Sequence, residues 1–207
     1  MMKLVGIVGT NATQSTNRQL LQYMQRHFAD QAGLEICEIV DLPAFNEPEQ
    51  HVAPAAVQTL SDAISAADGV IFATPEYDHS IPAALKSAIE WLSYTTRPLI
   101  NKPVMIVGAS NGSLGTSRAQ AHLRQILEAP ELKALVMPNV EYLLGHSLQA
   151  FDANGDLVDA DKRHELDQAF NEFVAFVGLT EKLTPTETFF EQSRQFSWSQ
   201  ITNGEDL

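Results

Sequence analysis

The sequence predicts an α/β fold: a five-stranded parallel sheet sandwiched between layers of helix. Two observations carry this. Short apolar runs recur at residues 3–9, 34–40, 69–74 and 103–109, with a weaker fifth at 134–137. Between and after them lie stretches whose apolar residues repeat at helical spacing, and such alternation builds β-α units whose strands are covered on both faces.

The first run is short and passes straight into a Gly/Thr/Asn/Ser loop, so it reads as a strand and not as a signal peptide. Residues 17–31 then place Leu20, Leu21, Met24, His27 and Phe28 on one helical face, with Gly33 as the stop. His27 is expected to be a packed histidine of that face. After the second run, residues 54–66 carry Val57, Leu60, Ala63 and Ile64, and Pro54 suits the first helical turn. After the third, residues 82–94 present Ala84, Leu85, Ala88, Ile89 and Leu92 behind a second such proline, with Trp91 on the core side or its rim. Residues 116–128 follow the fourth run with Ala119, Leu123, Ile126 and Leu127, and residues 160–178 follow the fifth with Leu166, Ala169, Phe170, Phe173, Phe176 and Val177.

One domain over residues 1–179 accounts for all of these elements. Residues 180–207 change character, with Pro185, several Thr and Ser, the aromatics Phe189, Phe190, Phe196 and Trp198, and an acidic end. They read as an extension whose aromatics favour docking over free disorder.

A formal net charge of −13 excludes broad contact with nucleic acid or anionic membrane, which needs a positive footprint. A lone cysteine, Cys37, excludes a disulfide framework and zinc clusters of the CxxC kind. Its apolar neighbours suggest a buried structural thiol. No apolar stretch approaches the roughly 20 residues needed to span a bilayer, and a reducing, cytoplasmic setting is expected.

In open α/β sheets ligands gather beyond the carboxyl ends of the strands, so the loops after the first, third and fourth runs matter most. The first, residues 9–17, leads into a helix and carries Thr10, Thr13, Ser15, Thr16 and Asn17. A helix start offers free backbone N–H groups and the positive end of the macrodipole, a ready phosphate site, and one N-cap would need only one such side chain. The loop lacks GxGxxG, GxxxxGK[ST] and a strand-end acidic pair, which leaves a monophosphate as the ligand.

The second loop, residues 74–82, holds Glu76, Tyr77, Asp78, His79 and Ser80 between Pro75 and Pro82 and suits the edge of a flat heteroaromatic ring. Its neighbouring Glu76, Asp78 and His79 point in different directions along an extended loop, so no metal site is expected. Ser80 with His79 and Asp78 is not a hydrolase triad, because the chain has no GxSxG elbow. The third loop, residues 108–116, contains Ser110, Asn111, Gly112 and Ser113, small residues that let backbone approach a ligand closely.

At these loops the chain resembles the NADPH-dependent FMN reductase family. The most specific segment is PEYDHSIPAALKSAIEW, residues 75–91, against the family's PEYN-HSIP-LKNAIDW. GTNATQSTN stands where the family has GS-x-R-x-x-S-x-N, and Arg118-Ala119-Gln120 with Leu123-Arg124 match the helix after the third loop. The resemblance implies a flavodoxin-like three-layer sandwich that binds FMN, takes NADPH or NADH as co-substrate and reduces a small acceptor such as a quinone, free flavin, azo compound or metal oxyanion. It places the phosphate on Thr10, Ser15, Thr16 and Asn17, with Thr13 as an addition. It places the ring and ribityl on Pro75, Glu76, Tyr77 and Asp78, and the ring's edge on Ser110, Asn111, Gly112 and Ser113. Tyr77 and His79 would line the acceptor pocket, no side chain need act as acid or base, and a homodimer or homotetramer is implied. Two positions depart from the pattern: Ala12 stands where the family has its phosphate-binding Arg, and Asp78 where it has Asn. Either Arg18, Arg118 or a partner subunit then supplies the charge, or FMN binds more weakly than is usual in the family. The alternatives are a flavodoxin-type electron carrier and a non-enzymatic relative that has lost FMN.

Overall fold

The structure, a computed structural model, describes residues 1–183. Its strands are β1 (Met2–Val8), β2 (Ala32–Cys37), β3 (Gly69–Ala73), β4 (Pro103–Ala109), β5 (Leu135–Val136) and β6 (Tyr142–Leu144). Its helices are α1 (Thr16–His27), α2 (Ala55–Ala66), α3 (Ala83–Trp91), α4 (Ser117–Leu127) and α5 (Ala160–Leu183), with a π-helical turn at Leu92–Thr96 and a 3-10 turn at Ser147–Gln149. The strands pair in parallel in the order β2-β1-β3-β4-β5, and β6 also pairs with β4.

Alternation along each strand assigns its side chains to two cores. From β1, Leu4 and Val8 join Leu20, Leu21 and Met24 of α1 and Leu166, Phe170 and Phe173 of α5. Phe28 closes that side by stacking on Phe170 at 3.7 Å between ring centroids. Val5 and Ile7 face the other way, onto Val57, Leu60 and Ile64 of α2, Leu85 and Ile89 of α3, and Leu123 and Leu127 of α4. The result is the expected flavodoxin-like three-layer sandwich. Trp91 is buried in the second core, and its indole N–H donates to the Pro43 carbonyl at 2.8 Å.

The expected fifth strand is split. β5 pairs with Pro103 and Val104 only, and β6 pairs with Val107 to Ala109 after an interruption that contains Pro138, which has no N–H to give, and Asn139 at φ 59°. β2 begins and ends earlier than its apolar run, because the Ala32 amide bonds to Phe28 at the end of α1 and the register with β1 stops at Cys37. Val40 is left exposed.

Two side-chain expectations are corrected. His27, the last residue of α1, is exposed: its ring stacks on Tyr23 at 4.9 Å and its Nε2 lies 2.7 Å from Asp167 of α5. Cys37 is half-buried, at the end of β2, and burial, followed by the charges of Glu35 and Glu38, pushes its thiol up to about 11. α5 runs on through Leu183, so the first residues of the expected extension are helical, and residues 184–207 lie outside the described residues. Among the described residues no helix is long and apolar enough to cross a membrane.

The chain places β1 inside the sheet, winds outward to the edge strand β2, then crosses back over β1 to the central strand β3. The reversal between β1 and β3 opens a crevice at their carboxyl ends, where open sheets of this order bind ligands.

Candidate active site

The first loop folds around α1's start. Ser15 is the N-cap, in extended conformation, and its Oγ accepts from the Arg18 amide at 3.2 Å. The amides of Thr16 and Asn17 then stand at the open end of the helix, without intrahelical partners. Thr10 is 1% exposed and accepts from the Ala12 amide at 3.1 Å, which tightens the turn from beneath. Asn17 is buried, and both ends of its amide bond β4: Nδ2 donates to the Ala109 carbonyl at 2.9 Å and Oδ1 accepts from the Ala109 amide at 2.9 Å. Its side chain is therefore a strut between the first and third loops. Arg18 pairs with Glu38, which holds the guanidinium above its usual pKa.

In the second loop Tyr77 and Ser80 exchange two backbone hydrogen bonds, at 3.0 and 2.9 Å, across a tight turn with Asp78 at φ 49° and His79 at φ 63°. Two successive left-handed residues mark a turn of the I′ kind, which Asp and His tolerate better than most non-glycine residues. The turn is tied down on both sides. Tyr77 Oη lies 3.3 Å from Thr10 Oγ1, and Ser80 Oγ lies 2.7 Å from His122 Nδ1 of α4. Glu76 caps α4: its carboxylate accepts from the amides of Arg118 and Ala119, at 3.1 and 3.3 Å, and from the Arg118 guanidinium at 3.1 Å. Burial raises its pKa, but the Arg118 side chain and those two amides outweigh it and hold the carboxyl below the ordinary glutamate value.

The third loop is laced to the segment after β6. The Ser110 amide donates to Leu144, and its carbonyl accepts from Ser147; the Gly112 carbonyl accepts from His146. The loop ends with Gly115 at φ 56° and Thr116 at φ 72°, the latter a β-branched residue in strained backbone at the cap of α4. Thr116 Oγ1 sits so close over Gly108 that a Cβ there would lie 1.8 Å from it.

These loops enclose one cleft of about 870 Å³. Of the expected residues, Thr13, Ser15, Thr16, Asn17, Pro75, Glu76, Tyr77, Ser110 and Asn111 line it. Thr10, Asp78, His79, Gly112 and Ser113 do not. Thr10 is buried beneath its loop, Asp78 and His79 form the exposed apex of the second turn, and Gly112 and Ser113 are drawn toward residues 145–146. The sequence reading missed Ser147 and Leu148, which close the cleft from the 3-10 turn after β6. Ser147 Oγ accepts from Thr16 Oγ1 at 3.0 Å, and Leu148 is 66% exposed. Only recognition of Tyr142–Leu144 as a strand would have directed attention to the loop that follows it. Gln14, Arg18 and Gln19 complete the first-loop wall.

The residues present fit FMN. An open helix terminus with hydroxyls suits a phosphate, and the volume lies within the roughly 300–1,000 Å³ of small-molecule sites. Among the described residues no group of His, Cys, Asp and Glu is placed to hold a metal ion.

The sequence profile of the NADPH-dependent FMN reductase family matches residues 2–149. The chain is 57% identical over 197 residues to a subunit of NADH:(hydroxy)cinnamate reductase from Vibrio ruber, covering 95% of this chain and 98% of that one. It is 48% identical over 186 residues to NADH-dependent flavin reductase subunit 2 of Lactobacillus johnsonii, covering 87% and 100%. Among solved structures, the flavoenzyme NAD(P)H:(acceptor) oxidoreductase FerB of Paracoccus denitrificans superposes with a TM-score of 0.77 at 27% identity, covering 87% of this chain and 99% of that one. With the doubly wound sheet, the cleft at its reversal point and these matches in agreement, the chain belongs to the NADPH-dependent FMN reductase family.

Proposed function

We propose that this NAD(P)H-dependent oxidoreductase holds FMN in the cleft between the loops after β1, β3 and β4. The observation that carries the assignment is convergence: an open helix terminus, the Pro75–Tyr77 backbone and the Ser110–Asn111 turn line one cleft at the point where strand order reverses. Ser15, Thr16 and the amides of Thr16 and Asn17 hold the phosphate. Pro75, Glu76 and Tyr77 lie along the ring and ribityl, with Ser110 and Asn111 at the ring's edge. Tyr77, 48% exposed, and Leu148 flank the mouth and give nicotinamide, and then the acceptor, apolar surface to stack on. When bound, FMN supplies the redox chemistry, taking up a hydride from reduced nicotinamide and passing two electrons to an acceptor. The protein's part is to bind, orient and exclude water.

The acceptor is a small oxidised molecule such as a quinone or free flavin, the chain assembles as a homo-oligomer, and it works in the cytoplasm. Exposed Tyr77, Leu114 and Leu148 around the loops support self-association, which light scattering tests. A second reading has its own support: two close relatives are named as subunits, so the acceptor is held by a separate polypeptide. The experiment for the main reading is flavin uptake followed by oxidation of NADH and NADPH with a quinone and with free FMN. Flavin retained on desalting, with turnover, is expected. Absence of flavin-dependent turnover with both nicotinamides would overturn the reading.

A further inference from the structure

We propose that Arg18 is a positioning residue that braces the first loop from behind and leaves the flavin phosphate to neutral donors alone. The inference rests on assigning the cleft to FMN. Ala12 removes the cation the family places in this loop, and Arg18 is the one lysine or arginine among the described residues lining the cleft. A guanidinium has five N–H groups, and each of these already has an acceptor within the protein. Nε donates to Glu38 Oε1 at 2.5 Å, Nη2 to Glu38 Oε2 at 2.9 Å and to the Ala12 carbonyl at 3.1 Å, and Nη1 to the carbonyls of Ala12 and Thr13, both at 3.1 Å. None is left for a phosphate oxygen, and the Glu38 carboxylate offsets the charge at contact distance. Arg118, the other nearby cation, is engaged by Glu76.

The brace has a geometric consequence. In a planar trans peptide the C=O and the next N–H point in opposite directions. Drawing the carbonyls of Ala12 and Thr13 onto Arg18 therefore turns the amides of Thr13 and Gln14 away from it, and both residues line the cleft. The phosphate site becomes a nest of amides and hydroxyls, with Arg18 and Glu38 setting its shape. Amides and hydroxyls bond the anionic phosphate without adding a countercharge, whereas a guanidinium would add both charge and a bidentate fork, so FMN is held more loosely than beside a free arginine and exchanges.

The test compares FMN with riboflavin, which lacks the phosphate, by quenching of flavin fluorescence. Three outcomes are expected. Wild-type FMN binding is not weakened between about 0.05 and 0.5 M salt, because the one lysine or arginine lining the cleft among the described residues is already paired with Glu38 and the chain as a whole is acidic. Glu38→Gln loosens FMN about 3- to 10-fold and leaves riboflavin unchanged. Arg18→Lys, which keeps the charge but not the fork, loses about as much FMN affinity as Arg18→Gln, roughly 10-fold. Marked weakening of wild-type FMN by salt, tighter or unchanged FMN binding in Glu38→Gln, or wild-type FMN affinity in Arg18→Lys would each overturn the proposal. An equal loss for riboflavin in these variants would assign Arg18 to general folding and overturn it too. Failure of the wild type to bind either flavin would remove the cofactor assignment itself and this inference with it.

Discussion

Replacing Asn17 with alanine removes the strut between α1 and β4. Two hydrogen bonds of 2.9 Å go, and a backbone amide and carbonyl are left behind at Ala109, which is 1% exposed. Each orphaned buried polar group costs about 1–3 kcal/mol. Ala109 borders the cleft, so water can reach the vacated space and restore part of this. The expected loss is about 2–3 kcal/mol, which for a domain of this size lowers Tm by about 5–10 °C. Asn17→Asp separates the two bonds: the carboxylate still accepts from the Ala109 amide but meets its carbonyl with like partial charge. It is therefore expected to be at least as unstable as the alanine variant at neutral pH. Urea unfolding without flavin, followed by far-UV circular dichroism, measures both. A loss under about 1 kcal/mol for alanine, within the range of ordinary surface changes, would refute the reasoning. Wild-type stability for the aspartate variant would do the same.

Three further outcomes are expected. Glu76→Gln removes the charged cap of α4 and costs about 1–2 kcal/mol at neutral pH. Since the folded carboxyl titrates below its usual value of 4.5, the wild-type advantage is fully present above that pH and fades as the pH falls through the lowered value; stability curves that stay separate under strong acid would contradict this. Gly108→Ala puts a methyl group 1.8 Å from Thr116 Oγ1 and 2.8 Å from the Thr74 carbonyl, for a loss of about 3 kcal/mol or more that Thr116→Gly in the same chain partly restores, read from a thermal double-mutant cycle. Cys37, with its pKa near 11, reacts with iodoacetamide at pH 8 roughly 100-fold more slowly than a free thiol of pKa about 8.5, and its rate climbs steadily to pH 11.

The fold was legible because local pattern and global packing agree. Buried parallel strands must be apolar on both faces, so β1, β3 and β4 stand out as runs, and the one-sided helices between them leave few topologies. The fifth strand was half legible. Leu135–Val136 lay inside an apolar run, whereas Tyr142–Leu144 followed Pro138, Asn139 and Glu141, and only pairing with the far end of β4 makes it a strand. His27 shows the same limit from the other side. Its helical spacing placed it on the apolar stripe, yet it is the last residue of α1 and reaches the surface.

For the site, sequence alone picked out three loops whose residues the structure brings around one cleft, and the residue types in them that suit an anion and a flat ring. Hydroxyl-rich residues before a helix, a proline-bounded loop and a run of small residues are each local properties of the chain, and their common location follows from the rule that strand ends share one edge. What each side chain does there was decided by tertiary structure. Asn17 and Ala109 are 92 positions apart, Thr16 and Ser147 131, and Arg18 and Glu38 20. A polar residue's role depends on which partner reaches it first, and such partners are brought together by the closing of the sheet and not by spacing along the chain. Asn17, which reads as a phosphate donor, is a strut for that reason, and Arg18, which reads as a replacement charge, has all its donors engaged.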